Sequence, residues 1–193
     1  MQFADLDLNQ TYTYADYLKW QFEERVELIR GRIFKMSPAP GFQHQLISSD
    51  IHGFLWSYLR GKSCKVFSAP FDVRLTVKSI ADEEITTVLQ PDICVICDLG
   101  KTDSRGCFGA PDIVVEILSP GNNAKEIISK YELYEQAGVK EYWVVSPENL
   151  TFVIHTLVNG KYSSSRQMTS GDIITSTVLP DFQLDLSEIF GSM

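Results

Sequence analysis

The stretch from Gln90 to Pro147 constrains the fold most, because it sets one carboxylate inside a strand that otherwise reads as buried. Ile113 to Leu118 is that strand, and Glu116 sits among its Ile, Val and Leu neighbours. An ionisable group in such a run is costly to bury without a partner. The next element supplies one. From Ala124 to Ala137 the chain has helical periodicity, with Ile127, Tyr131 and Tyr134 recurring at spacings of four and three along an inward stripe. Lys130 falls three after Ile127 and four before Tyr134, so it projects from the same stripe. Asp92 opens the preceding buried-type strand, PDICVIC. Two strands and a helix thus carry Asp92, Glu116 and Lys130 toward one place.

Two carboxylates and a lysine at one end of a sheet have a chemical use. Carboxylate oxygens suit a hard cation such as Mg²⁺, which keeps several waters and binds phosphate oxygens. A bound metal acidifies its water and neutralises charge developing on phosphorus. A neighbouring lysine can orient the attacking water or stabilise that charge, its pKa shifted by burial. The same spacing also describes a structural Glu116–Lys130 ion pair with Asp92 capping a strand.

At 193 residues the chain is long enough for one domain, spanning 1–193, whose core needs no disulfide or metal staple. No apolar run approaches the roughly 20 residues of a membrane helix, and MQFADLDLNQ lacks a basic region followed by an apolar one. A cytoplasmic protein with no membrane partner is expected. Cys64, Cys94, Cys97 and Cys107 are then expected as buried thiols, since strand alternation sends the sulfurs of Cys94 and Cys97 to opposite faces. Acidic residues outnumber basic ones, 25 to 17, for a net charge of −8. That balance opposes an extended basic face for nucleic acid, although Arg25, Arg30, Arg32 and Lys35 cluster within eleven positions.

Elsewhere, Thr13 and Asp16 have capping-box spacing and predict a helix to about Phe22. Segments 25–29 and 32–36 flank Arg30-Gly31 as a hairpin, in which Glu27 alternates against Val26 and Leu28 and takes a solvated position. A Pro38-Ala-Pro40-Gly41 loop leads to a helix from about Gln43 to Arg60, with Ile47, Ile51, Phe54, Leu55 and Tyr58 as its apolar stripe. His44 in its first turn and His52 further along read as surface or capping histidines. Strands are expected at 65–68 and, half-exposed, at 71–77; segments 78–89 and 98–110 read as loops, the first of them mobile. Asn122 or Asn123 would cap the 124–137 helix. Strands follow at 142–146, 151–158, 172–177 and 182–184, then a short helix from Ser187. The sum is a central mixed sheet flanked by helices, with antiparallel hairpins at either side, in an α/β or α+β fold.

These residues resemble a family. ELIRGRIFKMSPAPGFQH, APFDVRL, QPDICVICD, GAPDIVVEILSP, SKYELYEQAGVKEYWVVSP and the closing LPDF follow, in order, the pattern of the Uma2 (DUF820) family. Its fold is that of the restriction-endonuclease-like PD-(D/E)xK superfamily. The resemblance implies that Asp92 is the aspartate of the PD element and Glu116 the acid of the (D/E)xK element. The lysine expected two positions later is Leu118 here, and Lys130 on the following helix is its counterpart. Glu27 is the match for a further acid from an earlier element, and His44 for a histidine that approaches the phosphate. Asp112 belongs to a second Pro-Asp pair and is assigned a structural role. The implied function is a Mg²⁺- or Mn²⁺-dependent endonuclease hydrolysing DNA, with Asp92, Glu116 and the Ile117 carbonyl on the ion and Lys130 positioning the water. The alternatives are a binding or assembly module that keeps the fold without turnover, and a hydrolase of small phosphorylated substrates. A homodimer is expected, an apolar hairpin edge being available for pairing.

Overall fold

The computed structural model describes residues 2–36, 41–75, 81–119 and 124–191, the side chains of 124–126 excepted. Thr13 and Asp16 close a capping box at the start of α1 (Tyr14–Tyr17). This helix stops short of the expected Phe22 because Trp20 turns back to pack on Tyr12 and Tyr17, and Phe22 stacks on Trp20. β1 (Val26–Ile29) and β2 (Arg32–Lys35) form the expected hairpin. Its turn residues, Arg30 and Gly31, both have positive φ, 51° and 78°, which matches the twist of the strands they join.

α2 (Phe42–Leu59) buries Ile47, Ile51, Leu55 and Leu59, four residues apart, while Phe54 lies off that stripe and is exposed. β3 (Lys65–Ser68), β4 (Val73–Arg74), β5 (Val88–Leu89) and β6 (Ile93–Ile96) follow. β4 is shorter than the half-exposed strand expected at 71–77, of which 76 and 77 lie outside the described residues. Arg74 is buried there, donating to Asp103 at 2.6 Å and to the Cys107 carbonyl at 3.2 Å. The described part of the expected mobile loop, 81–89, is instead packed: Ile85, Val88 and Leu89 are buried, and β5 lies between β1 and β4. Segment 98–110, expected as a loop, carries β7 (Thr102–Asp103) and β8 (Gly106–Phe108). Gly106 permits this, since a Cβ there would meet the Asp72 carbonyl oxygen at 2.2 Å, at φ 126°.

β9 (Ile113–Ile117) runs into α3 (Ala124–Ala137) and returns as β10 (Glu141–Ser146); the expected Asn122 or Asn123 cap lies outside the described residues, as does the loop at 37–40. β11 (Thr151–Val158) and β12 (Lys161–Ser164) continue as hairpins, and β13 (Ile173–Thr175), β14 (Gln183–Asp185) and α4 (Ser187–Phe190) close the chain. The central sheet has the order β12-β11-β10-β9-β6-β3, with β9 parallel to β10 and antiparallel to β6. A second sheet, β2-β1-β5-β4-β8-β7, lies beside it. This is the mixed sheet expected.

Alternation along the central strands feeds two cores. Ile93, Val95, Ile113, Val115, Ile117, Trp143 and Val145 pack with α2 and α4. Cys94, Ile96, Val114 and Tyr142 pack with Leu133 and Tyr134 of α3 and with Ile29, Val73 and Leu89 of the second sheet. Both faces being covered explains why these strands read as continuous apolar runs. Each fully buried aliphatic or aromatic side chain contributes about 1.5–3 kcal/mol.

The cysteines depart from expectation. Cys94 and Cys107 are buried free thiols, but Cys64 and Cys97 form a disulfide. The β3–β6 pairing brings these two sulfurs together on the α2 side, opposite Cys94. Among the described residues no helix is long and apolar enough to cross a membrane.

Candidate functional site

Glu116 is the fourth residue of β9 and shares its face with Val114, the face that α3 covers. Burial without a partner would be prohibitive, and α3 provides two. Lys130 Nζ donates to Glu116 Oε1 at 3.0 Å, and the Tyr134 hydroxyl, one turn on, donates to the same oxygen at 2.8 Å. Lys130 is only 6% exposed.

The ammonium has a second acid. Glu27, on β1, lies 3.2 Å from Lys130 Nζ and also accepts the Gln90 backbone N–H at 2.9 Å. It is 2% exposed, which overturns the solvated position expected for it. All four residues of β1 are buried, because both its faces are covered: Glu27 shares with Ile29 the face turned to α3, while Leu28 packs with Tyr12, Tyr14 and Ile85.

Asp92 stands immediately before β6, with its Oδ2 accepting the Ile117 N–H at 2.8 Å. Since Ile117 adjoins Glu116, this bond fixes the start of one strand to the end of its neighbour. His44 Nε2 lies 3.3 Å from the same Oδ2. At 7% exposure His44 is not the surface or capping residue expected; the first turn of α2 is docked over this sheet end. His52 is half-buried on the same helix. Asp112 keeps the structural role expected, accepting the Cys97 N–H and the Lys140 ammonium, each at 2.7 Å.

The structure therefore brings Glu27, Glu116 and Lys130 into direct contact, and Asp92, His44 and the Ile117 backbone into a second group one residue away along β9. The Glu116 carboxyl is raised to about 7: burial is the largest cause and Asp92 and Glu27 add to it, while Lys130 opposes them. For Lys130 burial disfavours the cation, but Glu116 and Glu27 outweigh it and hold the ammonium charged. His44 follows the same pattern: burial lowers its pKa, yet the Asp92 contact and the Ile117 carbonyl raise it above the usual histidine value. Three carboxylates face one lysine and one histidine, a local excess of negative charge.

Asp92 Oδ1 and Glu116 Oε2 make no hydrogen bond among the described residues. Among those residues, too, no three His, Cys, Asp or Glu side chains converge as a ready-made metal cage. Two carboxylates and a backbone carbonyl fit a hard cation that keeps part of its water shell, and do not fit a tetrahedral site of nitrogen and sulfur ligands.

Sequence reasoning missed two participants. Tyr134 was visible only as a stripe residue, although a buried phenol four positions from a buried lysine needs a polar partner. Gln90 acts through its backbone N–H, which leaves no mark in sequence.

Three comparisons bear on this site. The family model Uma2, described as a putative restriction endonuclease, matches residues 14–187. An uncharacterized protein of Synechocystis sp. is 26% identical over 134 residues, covering 68% of this chain and 66% of that protein, so just under two thirds of that relative is spanned. The crystal structure of a putative nuclease belonging to DUF820 from Anabaena variabilis superposes with a TM-score of 0.72 at 18% identity, over 93% of this chain and 97% of that one. At that identity the likeness establishes the fold.

Proposed function

This chain belongs to the Uma2 family, and from that premise we propose that it is a metal-dependent endonuclease hydrolysing phosphodiester bonds of DNA. The observation that carries the reading is the buried Glu27–Lys130–Glu116 contact lying next to the Asp92–His44 contact at one end of the central sheet. Asp92, Glu116 and the Ile117 carbonyl would hold Mg²⁺ or Mn²⁺. That ion supplies an acidified water and neutralises charge gathering on phosphorus.

The chain's own groups divide the remaining work. Lys130 has three N–H groups, of which Glu116 and Glu27 take two, leaving one for the attacking water. Because both acids keep it protonated, Lys130 serves as a hydrogen-bond donor and not as the base. Tyr134 and Gln90 hold the two carboxylates that hold Lys130. His44, its Nε2 set 3.3 Å from Asp92 Oδ2 and its Nδ1 buried, orients that carboxylate toward the ion. Water oxygen attacks phosphorus in line with the leaving sugar oxygen; the proton the water sheds as its bond forms passes to solvent, and solvent returns one to the sugar oxygen as its bond to phosphorus breaks.

Supercoiled plasmid incubated with Mg²⁺ or Mn²⁺ tests the reading. Wild type should nick it, and Asp92→Asn and Lys130→Met should not. Nicking kept by both variants means contamination, and no nicking by any form means a binding module.

A further inference from the structure

We propose that the groove running from Asp92 along α2 is a subsite for a phosphate of the substrate strand flanking the one that reacts, with Arg25, Ser48 and His52 as its donors. The proposal deepens the nuclease reading and rests on it. The groove, about 310 Å³, is floored by α2 and walled by Ser68 and Ala69, with His44 and Asp92 at its end. Its volume lies at the low end for pockets that take a small ligand group.

The sequence of α2 makes this face polar. Ile47, Ile51 and Leu55 turn inward, which leaves Gln45, Ser48, Ser49 and His52, spaced by three, one and three, to line the groove. Ser48, Ser49 and His52 make no side-chain hydrogen bond among the described residues, so their donors are unspent. Arg25, the residue before β1, also lines the groove. Its Nε and Nη2 donate to Gln90 Oε1 at 3.3 and 2.7 Å, which aims the guanidinium while leaving three of its five N–H groups without a partner among the described residues.

Among the described residues Asp92 is the one acid lining the groove, and it is a proposed ligand of the ion. In a chain of net charge −8, a groove holding an arginine, two histidines and serine hydroxyls is locally suited to an anion. A guanidinium fork matches phosphate oxygens in geometry as well as charge. A strand whose reacting phosphate sits at Asp92 would lay the next one against these donors. Contacts of this kind fix register and carry no sequence information.

The test is fluorescence anisotropy of a labelled DNA duplex, and of its single strand, at 50 to 200 mM salt with Ca²⁺. The proteins are wild type, Arg25→Ala, Arg25→Lys and His52→Ala. Arg25→Ala should weaken binding about tenfold or more and reduce the slope of log Kd against log salt by about one. Arg25→Lys should recover the slope but only part of the affinity, and His52→Ala should weaken binding several-fold. Wild-type binding that Arg25→Ala leaves unchanged overturns the subsite and spares the nuclease reading. Affinity lost at an unchanged slope marks a structural effect and also overturns it. If wild type binds neither nucleic acid, the subsite and the nuclease reading fall together.

Discussion

Lys130 Nζ lies 3.0 Å from Glu116 Oε1, although the two residues sit on different elements, fourteen positions apart. Residue 118, two after the glutamate and just past the end of β9, is a leucine whose N–H is taken by the Val145 carbonyl. A lysine on α3 thus supplies the ammonium that the strand itself lacks. It approaches from across the layer and stands between two acids, Glu116 and Glu27, which a lysine on β9 beside Glu116 alone would not.

Removing that ammonium strands two buried carboxylates. Lys130→Met should destabilise the metal-free protein by about 3–5 kcal/mol, the usual cost of breaking a buried pair from one side. Glu116→Gln should cost far less, because Lys130 keeps Glu27 and the Tyr134 hydroxyl keeps an oxygen acceptor. The penalty of Lys130→Met has a sign in pH. Without the cation nothing of that strength opposes the burial that raises Glu116, so this carboxyl binds its proton still more readily folded than unfolded and the penalty should shrink as pH falls from 8 to 5. Urea unfolding of the three proteins at both pH values measures this; equal midpoints for wild type and Lys130→Met would remove the ammonium from its structural position.

Asp92 joins a structural bond to a proposed ligand role, and the two separate by choice of substitution. Asp92→Ala leaves the Ile117 N–H without its acceptor, costing about 1–3 kcal/mol. Asp92→Asn keeps a carbonyl oxygen for that N–H, so it should fold nearly as well while losing the heat of Mn²⁺ binding. His44→Ala, which removes only the group oriented against Asp92, should weaken Mn²⁺ about 10–100-fold and not abolish it. Calorimetric titration of the three variants beside thermal unfolding separates the effects.

What was legible in the sequence follows from locality. Helix periodicity placed Lys130 and Tyr134 on the stripe facing Glu116, and strand alternation correctly set Cys94 and Cys97 on opposite faces. Alternation could not show that both faces of β1 are covered, because α3 docks on one and Tyr12, Tyr14 and Ile85 on the other, all from distant segments. Glu27 was therefore read as solvated. His44 was misjudged for the same reason: its burial comes from where the first turn of α2 docks and not from its neighbours in sequence. β4, β5, β7 and β8 are two or three residues long, too short for any period to emerge, so their segments read as loops or as one longer strand. The partner of Cys97 lies 33 residues back and meets it only through the β3–β6 register.

That disulfide has a direct chemical readout. Of four cysteines, two should titrate with a thiol reagent in denaturant without reductant, and all four after reduction. In the native state Cys94 and Cys107 should react slowly. Burial pushes the Cys107 thiol up to about 11 and the Cys94 thiol further, so at pH 8 both are protonated and the attacking thiolate is scarce. Raising the pH toward 11 should accelerate Cys107 first. Four reactive thiols in unreduced denatured protein would rule the bridge out.

Glu141, at the start of β10, holds the closing segment to the central sheet through hydrogen bonds alone. Its Oε2 accepts from Trp143 Nε1 and from the Ser176 hydroxyl, each at 2.9 Å, and its Oε1 from the Thr177 N–H and hydroxyl at 2.5 and 2.6 Å. Four donors on one buried carboxylate leave no tolerance for a fifth. Glu141→Gln replaces one acceptor oxygen with an amino group that must face donors whichever way the amide turns. A loss of about 2–3 kcal/mol is expected, in line with other buried charge-assisted networks. Glu141→Asp, too short to span both pairs, should also destabilise, though by keeping both oxygens it should lose less. Because the indole of Trp143 is one of the four donors, its fluorescence should shift in Glu141→Gln before global unfolding begins. A Gln variant with wild-type stability and an unshifted Trp143 spectrum would show that the closing segment is anchored by Phe182, Leu184 and Phe190 in the core and not by this carboxylate.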